Sequence, residues 1–195
     1  MNPLSNLEKY DVILASGSPR RRELLSQIGV NFRVMTIGGV EETYPDTLPV
    51  EEVPAFLSQL KADAYKDMLQ GNHLIITADT VVINDGKVVG KPSDRREACN
   101  MLRALSGRTH IVISGVTVMT ATRRQTISVT TEVDFAQLSD DEIEYYVDSY
   151  MPLDKAGAYG IQEWIGGAGI TGIRGSFYNV MGLPLQRLYA LLKTF

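Results

Sequence analysis

Asp79 lies inside an almost unbroken apolar run, Leu74-Ile75-Ile76-Thr77-Ala78-Asp79-Thr80-Val81-Val82-Ile83. A carboxylate withdrawn from water at that place costs several kcal/mol unless a partner compensates. Two chemistries use such a group: proton abstraction from water, and ligation of a divalent ion. A second chemical signal is the run Ser16-Gly17-Ser18-Pro19-Arg20-Arg21-Arg22. Ser18 is a good N-cap, and Pro19 suits a first helical position. Three arginines in that first turn oppose the helix dipole, at roughly 0.3–1 kcal/mol each. A bound polyanion removes the conflict, because free N–H groups, dipole and guanidinium forks then meet one phosphate chain. Helical spacing from Leu24, Leu25 and Ile28 turns Arg20 and Arg21 inward and Arg22 outward. Ser16 and Ser18 are counted with Arg21 as phosphate ligands. The second acid for a metal is Glu42, with Glu41 as its rival, and Lys61 and Lys91 are the additional phosphate-binding cations. Mg²⁺ sites commonly join one or two carboxylates to substrate phosphates.

The elements that must hold these groups alternate early. A strand over 11–15, a helix over 19–28 and a strand over 31–35 are followed by a long helix over 51–70. In that helix Val53, Phe56, Leu57, Leu60 and Ala64 keep helical spacing, which places Lys61 at the margin of the buried face. The apolar run over 74–83 reads as a central strand, and Asn84-Asp85-Gly86-Lys87 as a hairpin turn. A helix over 94–105 opens with Asp94 and Glu97 as a capping pair. Two long strands follow, 109–120 and 125–137. A helix over 139–149 is capped by Ser139 and Glu142. The stretch 157–175 is glycine-rich, and a helix over 184–193 closes the chain. The class is α/β: a mixed twisted sheet flanked by helices. Thr80 alternates with Asp79, so both reach one site only across a bulge or a strand end.

The 195 residues, 44% of them hydrophobic, suffice for one sizeable core or two lobes. No apolar run approaches the ~18–20 residues that span a bilayer, and the first ten residues lack a signal-peptide core. The single cysteine, Cys99, excludes an internal disulfide and suits a reducing, cytoplasmic setting. A net charge of -4 argues against a nucleic-acid surface and leaves a small anion as the arginines' partner. His73 and His110 have no second ligand nearby and are read as structural.

Six segments together resemble the Maf family of nucleoside triphosphate pyrophosphatases. They are Ser16-Gly17-Ser18-Pro19-Arg20-Arg21, Ala78-Asp79-Thr80, Gly90-Lys91-Pro92, Leu105-Ser106-Gly107, Asp154-Lys155-Ala156-Gly157-Ala158-Tyr159-Gly160-Ile161-Gln162 and Gly182-Leu183-Pro184-Leu185. The likeness runs in order from residue 11 to the end. It implies a single 1–195 domain of two lobes around a long cleft, related to inosine triphosphate pyrophosphatases, with 1–10 as an N-terminal extension. It implies hydrolysis of a nucleoside triphosphate to monophosphate and pyrophosphate with Mg²⁺ or Mn²⁺, and Asp79 as proton acceptor. The subgroup it resembles acts on dTTP and UTP, and its specificity positions fall on Arg20, Thr80 and Gln162. A glutamine amide can accept the N3–H of uracil or thymine and donate to a ring carbonyl. Lys155 joins the phosphate contacts by its place in the motif. The resemblance also suggests a homodimer. Rival readings are a pyrophosphatase for 7-methyl-GTP or non-standard purine triphosphates, and a non-enzymatic nucleotide-sensing inhibitor of division.

Overall fold

The computed structural model describes residues 3–195. Seven strands join in the order β2-β1-β3-β5-β6-β7, with β4 attached to β3. They are β1 (Asp11–Leu14), β2 (Arg33–Val34), β3 (His73–Asn84), β4 (Lys87–Val89), β5 (Thr109–Met119), β6 (Arg124–Phe135) and β7 (Ile170–Arg174). The helices are α1 (Pro19–Gln27), α2 (Val53–Asp63), α3 (Arg95–Leu105), α4 (Asp140–Tyr150), α5 (Trp164–Ala168), α6 (Phe177–Met181) and α7 (Leu185–Leu192). The class is the expected mixed α/β. The chain divides into two compact units: residues 3–80, 114–129 and 182–195 form one, and 81–113 with 130–181 the other.

In the first unit, β1 pairs in parallel with β2 and β3, Leu14 standing opposite Val34 and Ile76. β1 and the start of β3 are buried on both faces; Ile13, Leu14, Leu74, Ile75 and Ile76 have no exposed surface. The connections β1-α1-β2 and β2-α2-β3 run in opposite directions along the sheet. Right-handed crossovers therefore put α1 and α2 on opposite faces. Residues before β1 belong to this unit: Leu4 and Leu7 are buried, and Asn6, Lys9 and Tyr10 bond carbonyls of Leu192 and Phe195.

The elements differ from expectation at four places, one being α6, where no helix is expected. β2 is two residues long. α2 stops at Asp63, because the next turn swings Tyr65 into the core, where its hydroxyl donates to Met35 O and accepts from Ile37 N. The glycine-rich stretch contains regular structure, α5 and β7, the latter antiparallel to β6.

In the second unit α3, α4 and the 155–165 segment share one core. Leu102, Leu105, Ile143, Tyr146, Ala158 and Ile165 are buried there. Asp85 and Gly86 both take positive φ (49° and 71°), as a two-residue hairpin of the expected kind requires. Ser139 and Glu142 form the full capping box. Asp94 accepts from Glu97 N at 2.7 Å, but the Glu97 carboxylate caps Ser93 rather than Asp94.

Candidate active site

The chemistry-bearing residues fall into two sets, one in each unit. In the first unit Ser18 caps α1 through its Oγ, which accepts from Arg21 N. Ser16, nearly buried, accepts from Ser18 N through its own Oγ at 3.3 Å. Both hydroxyls thus shape the turn. Arg20 is half-buried and Arg22 exposed, matching the helical spacing.

Arg21 has protein acceptors for most of its donors. Its Nε donates to Gly182 O at 2.9 Å, one terminal nitrogen to Ala78 O at 2.9 Å and to Ser16 Oγ at 3.5 Å, and the other to Thr80 Oγ1 at 3.2 Å. Four of its five N–H groups therefore face protein acceptors. Burial presses the guanidinium below its ordinary pKa, while the charges of Asp79 and Glu42 oppose that and Arg20 adds to it. The physical role visible here is to tie the turn before α1, the middle of β3 and the segment entering α7 together.

Asp79 is 8% exposed, and its Oδ1 accepts from Lys61 Nζ at 2.7 Å. The same ammonium meets Glu42 Oε2 at 2.9 Å. Lys61 reaches in from α2, where its place at the edge of the buried stripe brings the head group to β3. Of the two candidate loop acids, Glu42 is the one paired with Lys61; Glu41 forms no ion pair among the described residues. Thr80 is held elsewhere. Its hydroxyl lies 2.8 Å from Ser114 Oγ and 3.3 Å from Gly182 O, beside Arg21. Strand alternation is thus preserved: Asp79 turns to α2, and Thr80 to the elements around α1. Gly182 belonged to a quoted motif, whereas Ser114 carried no sequence signal, being one small polar residue in a buried strand.

In the second unit Lys91 is exposed and makes no ion pair among the described residues. Its neighbour Gly90 O accepts from Gly157 N at 3.0 Å, which fastens the Lys91 turn to the motif beginning at Asp154. Gly157 needs its glycine: φ is +70°, and a Cβ would lie 3.1 Å from Val82. Lys155 is buried, with Nζ 2.7 Å from Asp154 Oδ1 and 3.2 Å from Glu163 Oε1. Its ammonium therefore pairs with two carboxylates within the protein. Gln162 is exposed and its amide has no hydrogen-bond partner among the described residues.

Two carboxylates converging on one atom suit a divalent ion that completes its shell with phosphate oxygens. No group of three or more His, Cys, Asp and Glu residues that could hold a metal occurs among the described residues. Asp79 and Glu42 thus fit a shared protein–substrate site better than an all-protein cage.

The fold and these motifs define a class, and the comparisons agree with it. The Maf-like protein family matches residues 11–195, and the chain belongs to that family. A protein of Phocaeicola vulgatus named dTTP/UTP pyrophosphatase is 57% identical over 97% of this chain and 98% of its own. One of Bacteroides thetaiotaomicron with the same name is 53% identical over 97% and 98%. Among solved structures, a HAM1 protein from Coxiella burnetii aligns with 95% of this chain and 100% of its own, at 17% identity and a TM-score of 0.47, a likeness too loose to build on.

Proposed function

We propose that this protein hydrolyses dTTP and UTP to the monophosphate and pyrophosphate, and so keeps these or modified pyrimidine nucleotides out of nucleic acids. The activity named for its relatives supports the reaction class. The observation that carries the chemistry is the buried Asp79, held by a lysine that it shares with Glu42.

In this reading Asp79 accepts a proton as water attacks the α-phosphorus. The new P–O bond forms while the bond to the pyrophosphate oxygen breaks. Lys61 aims the Asp79 carboxylate through a charge-assisted hydrogen bond at 2.7 Å. Arg20 and Lys91 supply charge to the triphosphate. Ser16, Ser18 and Arg21 set the backbone of the phosphate turn, and Lys155 sets that of the Gln162 segment. A divalent cation, Mg²⁺ or Mn²⁺, bound by Asp79 and Glu42 together with the substrate, would polarise the phosphoryl group. Gln162, with an exposed and unspent amide, reads the pyrimidine edge. Thr80 influences selection at one remove, since its hydroxyl is taken up by Ser114, Arg21 and Gly182.

No helix among the described residues is long and apolar enough to cross a membrane. We place the enzyme in the cytoplasm as one nucleotide pyrophosphatase domain acting as a homodimer, without nucleic-acid partners. The deciding experiment measures pyrophosphate release from dTTP, UTP, GTP, 7-methyl-GTP and ITP, with Mg²⁺ and with EDTA. Faster turnover of dTTP and UTP, abolished by EDTA, is expected. Equal rates on all five would remove the base-reading role of Gln162, and tight binding without turnover would reject the enzyme.

A further inference from the structure

Tyr146 is a fully buried tyrosine of α4, and both hydrogen-bonding functions of its hydroxyl are spent on one short turn. The hydroxyl accepts from Gly160 N at 2.9 Å and donates to Glu163 Oε2. Gly160 and Glu163 are the two ends of that turn, which closes on itself through Glu163 N donating to Gly160 O at 3.0 Å. Its two central residues are treated oppositely. Ile161 is 5% exposed and anchored in the core, whereas Gln162 is exposed with its amide unspent.

The surrounding groups make this a built arrangement. The second oxygen of Glu163 meets Lys155 Nζ at 3.2 Å, and Lys155 also meets Asp154. A Cβ at Gly160 would lie 2.8 Å from the Glu163 carboxylate carbon, so only glycine lets that carboxylate fold back over the turn. Gly166 N donates to Glu163 O at 2.9 Å, and a Cβ at Gly166 would sit 1.7 Å from Ile161 O. The Tyr146 ring is stacked on Tyr150, with centroids 5.1 Å apart. Burial and the Glu163 carboxylate both push the phenol's pKa well up, which keeps its proton available for donation.

From this we infer that Tyr146 is a positioning residue for base selection: its hydroxyl pins both ends of the Gly160–Glu163 turn and so fixes the backbone from which the Gln162 side chain projects. The inference rests on the proposed reading of Gln162. Its energetic sense is preorganisation, because a turn already fixed loses less entropy when the amide meets its ligand. Neither Tyr146 nor Glu163 touches the nucleotide in this account. They act through Gln162, with Lys155 holding Glu163 in place.

The test is a double-mutant cycle on the full chain. Tyr146→Phe keeps the ring and removes the oxygen. It is expected to raise KM for dTTP and UTP by roughly tenfold, about what one lost hydrogen bond can weigh, with kcat little changed and KM for GTP unmoved. In a Gln162→Ala background the same substitution should leave selectivity unchanged, because the residue it acts through is gone. Glu163→Gln, which retains an acceptor for the phenol, should preserve selectivity, whereas Glu163→Ala should reproduce the Tyr146→Phe loss; this pair decides the matter if Tyr146→Phe folds poorly. Additive effects of Tyr146→Phe and Gln162→Ala would overturn the proposal. Amide hydrogen exchange keeps the two readings apart. The Gly160 amide should exchange faster in Tyr146→Phe while the α4 amides stay protected, and unchanged protection would refute the clamp. A wild-type protein without pyrimidine preference, but with the faster Gly160 exchange in the variant, would count against the role of Gln162 alone.

Discussion

Lys61 shows how one side chain can belong to two arguments. Its sequence position marks it as a cation at the edge of an apolar stripe, suited to phosphate. In the fold its ammonium stands between Asp79 and Glu42, at 2.7 and 2.9 Å. That contact gives the buried Asp79 carboxylate the partner that a charge withdrawn from water requires. Asp79→Asn retains an oxygen to accept from Lys61 but cannot take a proton. We expect kcat to fall by about 10²–10⁴ with a near-native melting temperature, read by steady-state kinetics and thermal melts; turnover close to wild type would end the base assignment. Arg21 carries the complementary lesson. Its inward direction is visible from helical spacing, but its partners are carbonyls of Ala78 and Gly182, 57 and 161 residues away along the chain, and no local pattern encodes those.

At the scale of elements, burial periodicity predicts best where the apolar pattern is long and unbroken or a capping residue marks the end. α1, α3, α4, α7, β1 and β3 lie within one or two residues of expectation. Their ends are set by local chemistry: Ser18, Asp94 and Ser139 cap, and Pro19 starts a helix. The segment 157–175 misleads because its glycines permit close approach as well as turning, as Gly166 does against Ile161 O. Gly115 serves the same purpose in β5, where a Cβ would lie 2.3 Å from the backbone of Pro54 at the start of α2. Gly115→Ala must therefore push β5 and α2 apart. A loss of about 1–3 kcal/mol, typical of overpacking, is expected in urea unfolding, with Gly167→Ala, where a Cβ meets open space, as the comparison.

For the whole molecule the sharpest prediction concerns acid. His110 is buried in the second unit, with Nε2 2.7 Å from the Tyr159 hydroxyl and the Phe135 ring edge-on. Burial lowers its pKa from 6.5 to about 4, with Asp134 opposing. Between those two values the unfolded chain binds a proton that the folded protein refuses, so stability falls as pH drops from 6.5 towards 4. The shift corresponds to about 3 kcal/mol by the usual 1.36 kcal/mol per unit. His110→Gln can keep a hydrogen bond to Tyr159 without titrating. It should flatten that part of the pH dependence in thermal melts recorded from pH 4.5 to 7.5, and an unaltered slope would show that His110 is not its source.

The amino-acid sequence by itself determined the α/β class, most element positions, the inward pair of arginines and the candidacy of Asp79 and Gln162. Each follows from burial periodicity, capping or the cost of a charge in an apolar strand, all of which act over a few residues, or from the ordered Maf motifs. The tertiary structure alone decided which acid pairs with Lys61, that Arg21 donates to carbonyls and hydroxyls inside the protein while Lys155 pairs with Asp154 and Glu163, that Thr80 turns away from Asp79, and that Tyr146 holds both ends of the Gln162 turn. Those outcomes depend on hydrogen bonds and ion pairs between segments that crossovers and long strands bring together, and their geometry exists only once the backbone has closed around them.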